Sequence, residues 1–136
     1  MKRTFIDSNY WIYWFDQRLP EHKSVESIME ENLKKDLVVS TVTIMEIAHY
    51  FRQLPKEEFD FRIETILRLS TLKVVDLTYD LMKEALSFVP GYNSIGLSAR
   101  DCVILSTMKF VDTHLLLTHD LAFRNIKGIT VIDDIK

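Results

Sequence analysis

Four carboxylates of this chain, Asp7, Glu46, Asp101 and Asp120, stand where an apolar strand-like segment or a loop hands over to a helical pattern. In an open parallel α/β sheet such hand-over points lie along one edge, beyond the carboxyl ends of the strands. Negative side chains gathered at one edge repel one another unless something positive sits between them. The set is all oxygen, with no cysteine or histidine cluster beside it, which suits magnesium or manganese rather than zinc or copper. The chemistry these residues point to is a site for a divalent metal.

A plainer account competes with that one. Acids near a helix start complement the helix dipole without any further role. Thr43-Ile44-Met45-Glu46 fits a capping box, Ser98-Ala99-Arg100-Asp101 is its aspartate version, and Asp7 and Asp120 fit single N-caps. Two of the acids strain the plainer account. Asp101 is followed at helical spacing by Ile104, Leu105 and Met108, so it shares a face with apolar residues. Asp7 emerges from an apolar strand straight into an aromatic helix. A carboxylate against apolar surface is costly unless it is paired or metal-bound. Glu46 lies off the stripe formed by Ile44, Ile47, Ala48 and Phe51, facing solvent or crevice equally well. Glu46-Ile47-Ala48-His49 has the spacing of a di-iron helix, but no second such helix occurs. His22, His49, His114 and His119 are scattered, and no ligand role is expected of them.

The elements that position these residues alternate in type. Strand-like segments are expected at residues 2–7, 37–40, 73–76, 114–118 and 129–132. Helices are expected over 8–15, 24–35, from Thr43 to about Phe51, over 57–71, from Leu81 to a stop at Pro90-Gly91, and over 98–110. Residues 92–97 read as a loop, and a short helical turn covers 121–125. Short, continuously apolar strands between helices argue for a parallel sheet covered on both faces. There is no internal repeat and no linker, so residues 1–136 are expected to form one domain.

Composition narrows the classes further. An apolar fraction of 47% and a charged fraction of 27% describe an ordinary folded chain, not a low-complexity one. The apolar stretch at residues 10–15 is far too short to cross a bilayer, and the start of the chain carries no apolar leader. A single cysteine, Cys102, cannot form an internal disulfide, which agrees with a cytoplasmic setting. The net charge of −3 is not that of a basic nucleic-acid binder, but clustered acids that hold cations lower the net charge and then invert the local sign.

Four segments carry a resemblance. Phe5-Ile6-Asp7-Ser8-Asn9, Thr43-Ile44-Met45-Glu46-Ile47, Ser98-Ala99-Arg100-Asp101-Cys102-Val103 and Leu116-Leu117-Thr118-His119-Asp120-Leu121 resemble, in that order, the motifs of PIN-domain nucleases of the VapC toxin type. The resemblance implies a three-layer α/β fold with a five-stranded parallel sheet in order 3-2-1-4-5. It implies metal-dependent endoribonuclease activity, homodimers and inhibition by a small antitoxin protein. Asp7, Glu46, Asp101 and Asp120 match the acidic quartet, with Asp7 and Asp101 as the foremost direct ligands of Mg²⁺ or Mn²⁺. Asn9 and Thr118 match polar positions that orient those ligands. The expected reaction is hydrolysis of RNA phosphodiesters by water activated on one or two such ions. Lys2, Arg3, Arg100, Arg124 and Lys127 are candidate phosphate contacts, and the helical hairpin with Phe51, Phe59 and Phe61 is a candidate partner surface. Arg100 and Cys102 beside the third acid depart from the usual pattern. Two alternatives stay open: a non-catalytic PIN-like module binding RNA or protein, and a receiver-like phosphoacceptor, the latter disfavoured because no lysine follows a strand where one is needed.

Overall fold

The computed structural model describes residues 3–136. Lys2, expected to open the first strand and to contact phosphate, lies outside the described residues. Five strands, β1 (Thr4–Ile6), β2 (Leu37–Ser40), β3 (Leu72–Val75), β4 (Leu115–Leu117) and β5 (Thr130–Ile132), pair in the order β3-β2-β1-β4-β5. Every pairing is parallel, with Phe5 in register with Val38 on one side and Leu116 on the other. The helices are α1 (Ser8–Phe15), α2 (His22–Asn32), α3 (Thr41–Tyr50), α4 (Lys56–Leu67), α5 (Tyr79–Tyr92) and α6 (Ala99–Phe110), with 3₁₀ turns at Asn93–Ile95 and Leu121–Asn125. The expected sheet order and fold class are what the chain adopts.

The three central strands are almost wholly apolar because both of their faces are covered. Successive side chains of a strand point to opposite faces. Ile6, Leu37, Val39 and Leu117 therefore pack with Trp11, Met29, Ile47 and Ile66 of α1 to α4. Phe5, Val38 and Leu116 pack on the other face with Leu81, Ile104, Leu105 and Met108 of α5 and α6. Burial of each such side chain contributes roughly 1.5–3 kcal/mol, so the three layers are fixed by the sheet's two apolar faces. From β1 the chain moves one way to β2 and β3, then crosses to β4 and β5 on the other side. The strand order thus reverses between β1 and β4, and a crevice opens beyond their carboxyl ends.

Three expectations are corrected. The helix that carries Glu46 begins at Thr41, and its capping box is formed by Ser40 and Thr43. Glu46 is thereby displaced from the hand-over point into the second turn, free of any capping duty. Pro90 does not end α5, which runs on to Tyr92. Pro90 and Leu86, four residues before it, are both on the exposed side of the helix, where water can serve the carbonyl that a proline leaves unbonded. The chain turns at Gly96 instead, at φ +87°, a conformation that favours glycine. In the α3–α4 hairpin, Phe51 is buried in the core, whereas Phe61 is exposed.

Candidate metal centre

Asp7 directly follows β1 and Thr118 directly follows β4, so the two strands that meet at the reversal deliver both residues to the same rim. The Asp7 N–H donates to the Leu117 carbonyl at 2.9 Å, which extends the β1–β4 pairing by one residue. The side chain of Asp7 is buried, and each oxygen has a donor: Oδ1 accepts from the Ser8 N–H at 2.7 Å, capping α1, and Oδ2 accepts from the Thr118 hydroxyl at 2.7 Å. Thr118 is fully buried and its Oγ1 also accepts from Asn9 Nδ2 at 3.4 Å and from the Asp120 N–H at 3.1 Å. Asn9 Oδ1 takes the His119 N–H at 3.4 Å. The two polar residues expected to orient the acids therefore link Asp7 to the loop that carries Asp120.

Asp120 caps the 3₁₀ turn through the Ala122 N–H at 3.0 Å. Asp101 forms a reciprocal capping box with Ser98, its Oδ2 accepting from the Ser98 N–H at 2.9 Å while Ser98 Oγ accepts from the Asp101 N–H at 3.1 Å. Capping and convergence are thus both true of these acids: a cap fixes where the carboxylate stands, and the sheet brings the caps to one rim. Glu46, half-buried, faces the crevice and lies 3.5 Å from Arg100 Nη1.

The electrostatics record this shared field. Burial pushes the Asp7 carboxyl up from 3.8 to about 6; the bonds from Thr118 and Ser8 oppose the rise, and Asp101 and Asp120 add to it. Burial likewise raises Glu46, with Asp7 and Asp101 adding to the effect and Arg100 opposing it. Each acid of the quartet therefore appears in the field of another. Among the described residues, no three His, Cys, Asp or Glu side chains already stand in cation-ligating geometry. The donor set nevertheless fits a hard dication by its chemistry: all of it is carboxylate oxygen, and the buried Asp7 carboxylate is only partly compensated by its two hydrogen bonds, with Asp101 and Asp120 close enough to raise it further.

The candidate phosphate contacts separate. Arg3 is engaged at the opposite edge of the sheet, donating to the carbonyls of Leu37 and Thr71 at 2.9 and 3.3 Å. Lys127 lines a cavity of about 160 Å³ with Thr113 and Ile129, at that same far edge. Arg124 pairs with Asp133 at 3.0 Å. Of the described candidates, Arg100 stands beside the acids: with Ser8, Glu46, His49, Arg52 and Gln53 it lines a groove of about 450 Å³. A larger cavity of about 610 Å³ runs along β3 and α5, past Val75, Leu81 and Phe110, and none of the four acids lines it.

Sequence reasoning missed Asp133. It directly follows β5, so the rule that selected Asp7 and Asp120 applies to it equally. Its nearly sealed carboxylate accepts from Tyr10 Oη at 2.5 Å and the Ile135 N–H at 3.0 Å on one oxygen, and meets His119 Nδ1 at 2.9 Å and Arg124 at 3.0 Å on the other. The Tyr10 and His119 hydrogen bonds hold the Asp133 carboxyl below its ordinary value against the opposing effect of burial. This knot ties α1, which starts from Asp7, to the loop between Thr118 and Asp120. His119, of which no ligand role is expected, is one of its members.

Comparison with known proteins agrees with the fold. The family model described as PIN domain matches residues 4–129. Among solved structures the chain is similar to VapC20 of Mycobacterium tuberculosis, a sarcin–ricin-loop-cleaving toxin, with 12% identity and a TM-score of 0.76 over 93% of this chain and 98% of that one. It is similar to a toxin–antitoxin complex from Klebsiella pneumoniae, with 20% identity and a TM-score of 0.69 over 93% and 95% of the two chains. VapBC2 from Rickettsia felis, bound to a DNA fragment from their promoter, matches with 16% identity and a TM-score of 0.71 over 96% and 97%. At such identities the likeness is one of fold. No curated sequence matches significantly.

Proposed function

Because this chain belongs to the PIN-domain family, we propose that it is a metal-dependent endoribonuclease that acts in the cytoplasm as the toxin of a toxin–antitoxin pair. What supports the reading is the bonding of Asp7 to Thr118 at the β1–β4 reversal, with Asn9 and the Asp120 N–H on the same hydroxyl. Asp101 and Asp120 are near enough to raise Asp7, and Asp7 and Asp101 near enough to raise Glu46. Asp7 and Asp101 would hold Mg²⁺ or Mn²⁺, with Glu46 and Asp120 completing the donor set. A divalent ion supplies Lewis acidity that activates water and offsets charge on a phosphate.

The chain's own residues do the rest. Thr118 keeps one lone-pair direction of Asp7 fixed by donating to Oδ2, and the Ser8 N–H fixes the other oxygen. The Asp120 N–H bond to Thr118 sets the position of the fourth acid relative to the first. Such outer bonds hold ligands near a productive geometry before any ion arrives. The groove beside Ser8 and Glu46, with Arg52 and Arg100 on its walls, is the natural path for the strand flanking the cut.

An apolar groove of about 470 Å³ between α3 and α4, walled by Met45, Leu54 and Phe59, together with the exposed Met45 and Phe61, offers a surface for the small antitoxin or a second copy of the chain. We assign the antitoxin to the groove and a homodimer to the free state; light scattering over a dilution series reads the latter. A non-catalytic PIN-like module is the second reading, favoured by one observation: no ready-made cation cage stands among the described residues. One experiment separates the two. Purified protein incubated with structured RNAs is expected to cut them with Mg²⁺ or Mn²⁺ and not with EDTA, and Asp101→Asn is expected to abolish cutting while leaving the circular-dichroism spectrum intact. Binding without cleavage under every metal condition selects the module.

A further inference from the structure

Glu46 is the acid of the quartet that faces a cation belonging to the chain itself. Arg100 Nη1 stands 3.5 Å from Glu46 Oε2, reaching from the first turn of α6 to the second turn of α3. The Arg100 side chain is 71% exposed and that of Glu46 27%. Both line the groove of about 450 Å³ that also contains Ser8, whose N–H is bonded to Asp7, and Arg52. A guanidinium and a dication drawn to the same carboxylate repel each other, so the arrival of either weakens the hold of the other. An ion pair this exposed is weak, so exchange is easy. A freed guanidinium in that groove has no second carboxylate among the lining residues, and its planar fork matches a phosphate.

Resting on the reading given above, we propose that Arg100 is an exchangeable counter-ion: it neutralises Glu46 while no dication is held there, and on dication binding it turns to the phosphodiester backbone of an RNA strand lying in the Ser8–Arg52 groove. Metal and RNA then help one another. Each binds more tightly in the presence of the other, and thermodynamic linkage makes the two factors equal.

The test compares the parent protein with Arg100→Gln and Arg100→Lys. Mn²⁺ binding is read by the electron paramagnetic resonance of free Mn²⁺, and RNA binding by the fluorescence anisotropy of a short phosphorothioate-linked RNA that resists cleavage. Without RNA, Arg100→Gln is expected to bind Mn²⁺ about two- to five-fold more tightly than the parent, the competition of a weak ion pair having been removed. Its RNA affinity is expected to fall, with the slope against log salt reduced by about one. The mutual enhancement of Mn²⁺ and RNA should shrink toward one, while Arg100→Lys keeps the salt slope and part of the enhancement. Unchanged or weaker Mn²⁺ binding by Arg100→Gln, or undiminished enhancement, overturns the exchange and leaves the nuclease reading standing if the parent cuts RNA. A parent that neither binds Mn²⁺ nor cuts RNA overturns both.

Discussion

Asp7→Asn separates what the site does for chemistry from what it does to the fold. In the metal-free protein the buried Asp7 carboxyl sits at about 6 rather than 3.8, so its ionised form opposes folding. At about 1.4 kcal/mol per pH unit, that rise corresponds to about 3 kcal/mol once the group is fully ionised. Asparagine keeps the shape and still accepts from the Ser8 N–H. Its amide, however, brings a donor toward Thr118 Oγ1, which already accepts from Asn9 and Asp120. Losing one hydrogen bond there costs about 1 kcal/mol. The variant is therefore expected to be about 1–2 kcal/mol more stable than the parent near neutral pH in EDTA, although it should cut no RNA. The pH dependence has a definite sign. The native state holds the Asp7 proton more tightly than the unfolded chain does, so the parent loses stability as pH rises from about 4 to about 6 and the loss is complete above that. The advantage of Asp7→Asn should accordingly grow over that window and vanish or reverse near its lower end. Urea unfolding followed by the fluorescence of Trp11 and Trp14 at a series of pH values measures it. A gap that does not change with pH, or a parent more stable than the variant at neutral pH, would refute the claim that burial leaves this carboxylate uncompensated.

Two further outcomes follow from neighbouring bonds. Thr118→Val removes the hydroxyl that donates to Asp7 and accepts from Asn9 and Asp120; it is expected to cost about 1–2 kcal/mol and to move the Asp7 titration above about 6, as read by carboxyl NMR, and an unmoved titration would show that the hydroxyl does not hold the charge. Asp16 ends α1 and accepts from Arg18 and from Tyr50 of α3, which lowers it to about 2. Because its folded value lies below the unfolded one, its contribution is full above about pH 4 and is lost as pH falls toward about 2. Asp16→Asn should cost about 1–2 kcal/mol at neutral pH, allowing for the exposure of Arg18, and the cost should fade in acid; a cost independent of pH would point to shape rather than charge.

How much of this was legible beforehand depended on how local each signal is. Asp7 and Asp120 were readable because a parallel strand buried on both faces is a short apolar run, and the first polar residues beyond it must stand at the rim. Asp101 was readable because Ser98 three residues earlier marks the helix start, and the box it forms is the one the spacing announced. Glu46 was placed on the correct helix for a mistaken reason: two overlapping spacings fit a capping box, and the pair Ser40 and Thr43 wins because Ser40 ends β2 in an extended conformation. Its partner Arg100 lies in another helix, and no local pattern announces a contact across that separation. Asp133 lay within reach of the rule that selected Asp7, since it directly follows β5, but its bond to Tyr10, 123 positions away, carried no local sign. Pro90 misled because a proline's effect on a helix depends on whether the freed carbonyl can meet water, which only the exposed face of α5 decides.

The bond between Asp7 and Thr118 spans 111 residues. No stretch of the polypeptide shorter than that contains both, and neither is at the rim until β1 and β4 lie side by side. A chain still emerging from the ribosome, or one unravelled at β4, accordingly carries the acids as harmless scattered charges. For a molecule whose finished form is proposed to attack RNA, danger arrives only with completion of the sheet, which leaves an interval in which an inhibitor can be waiting.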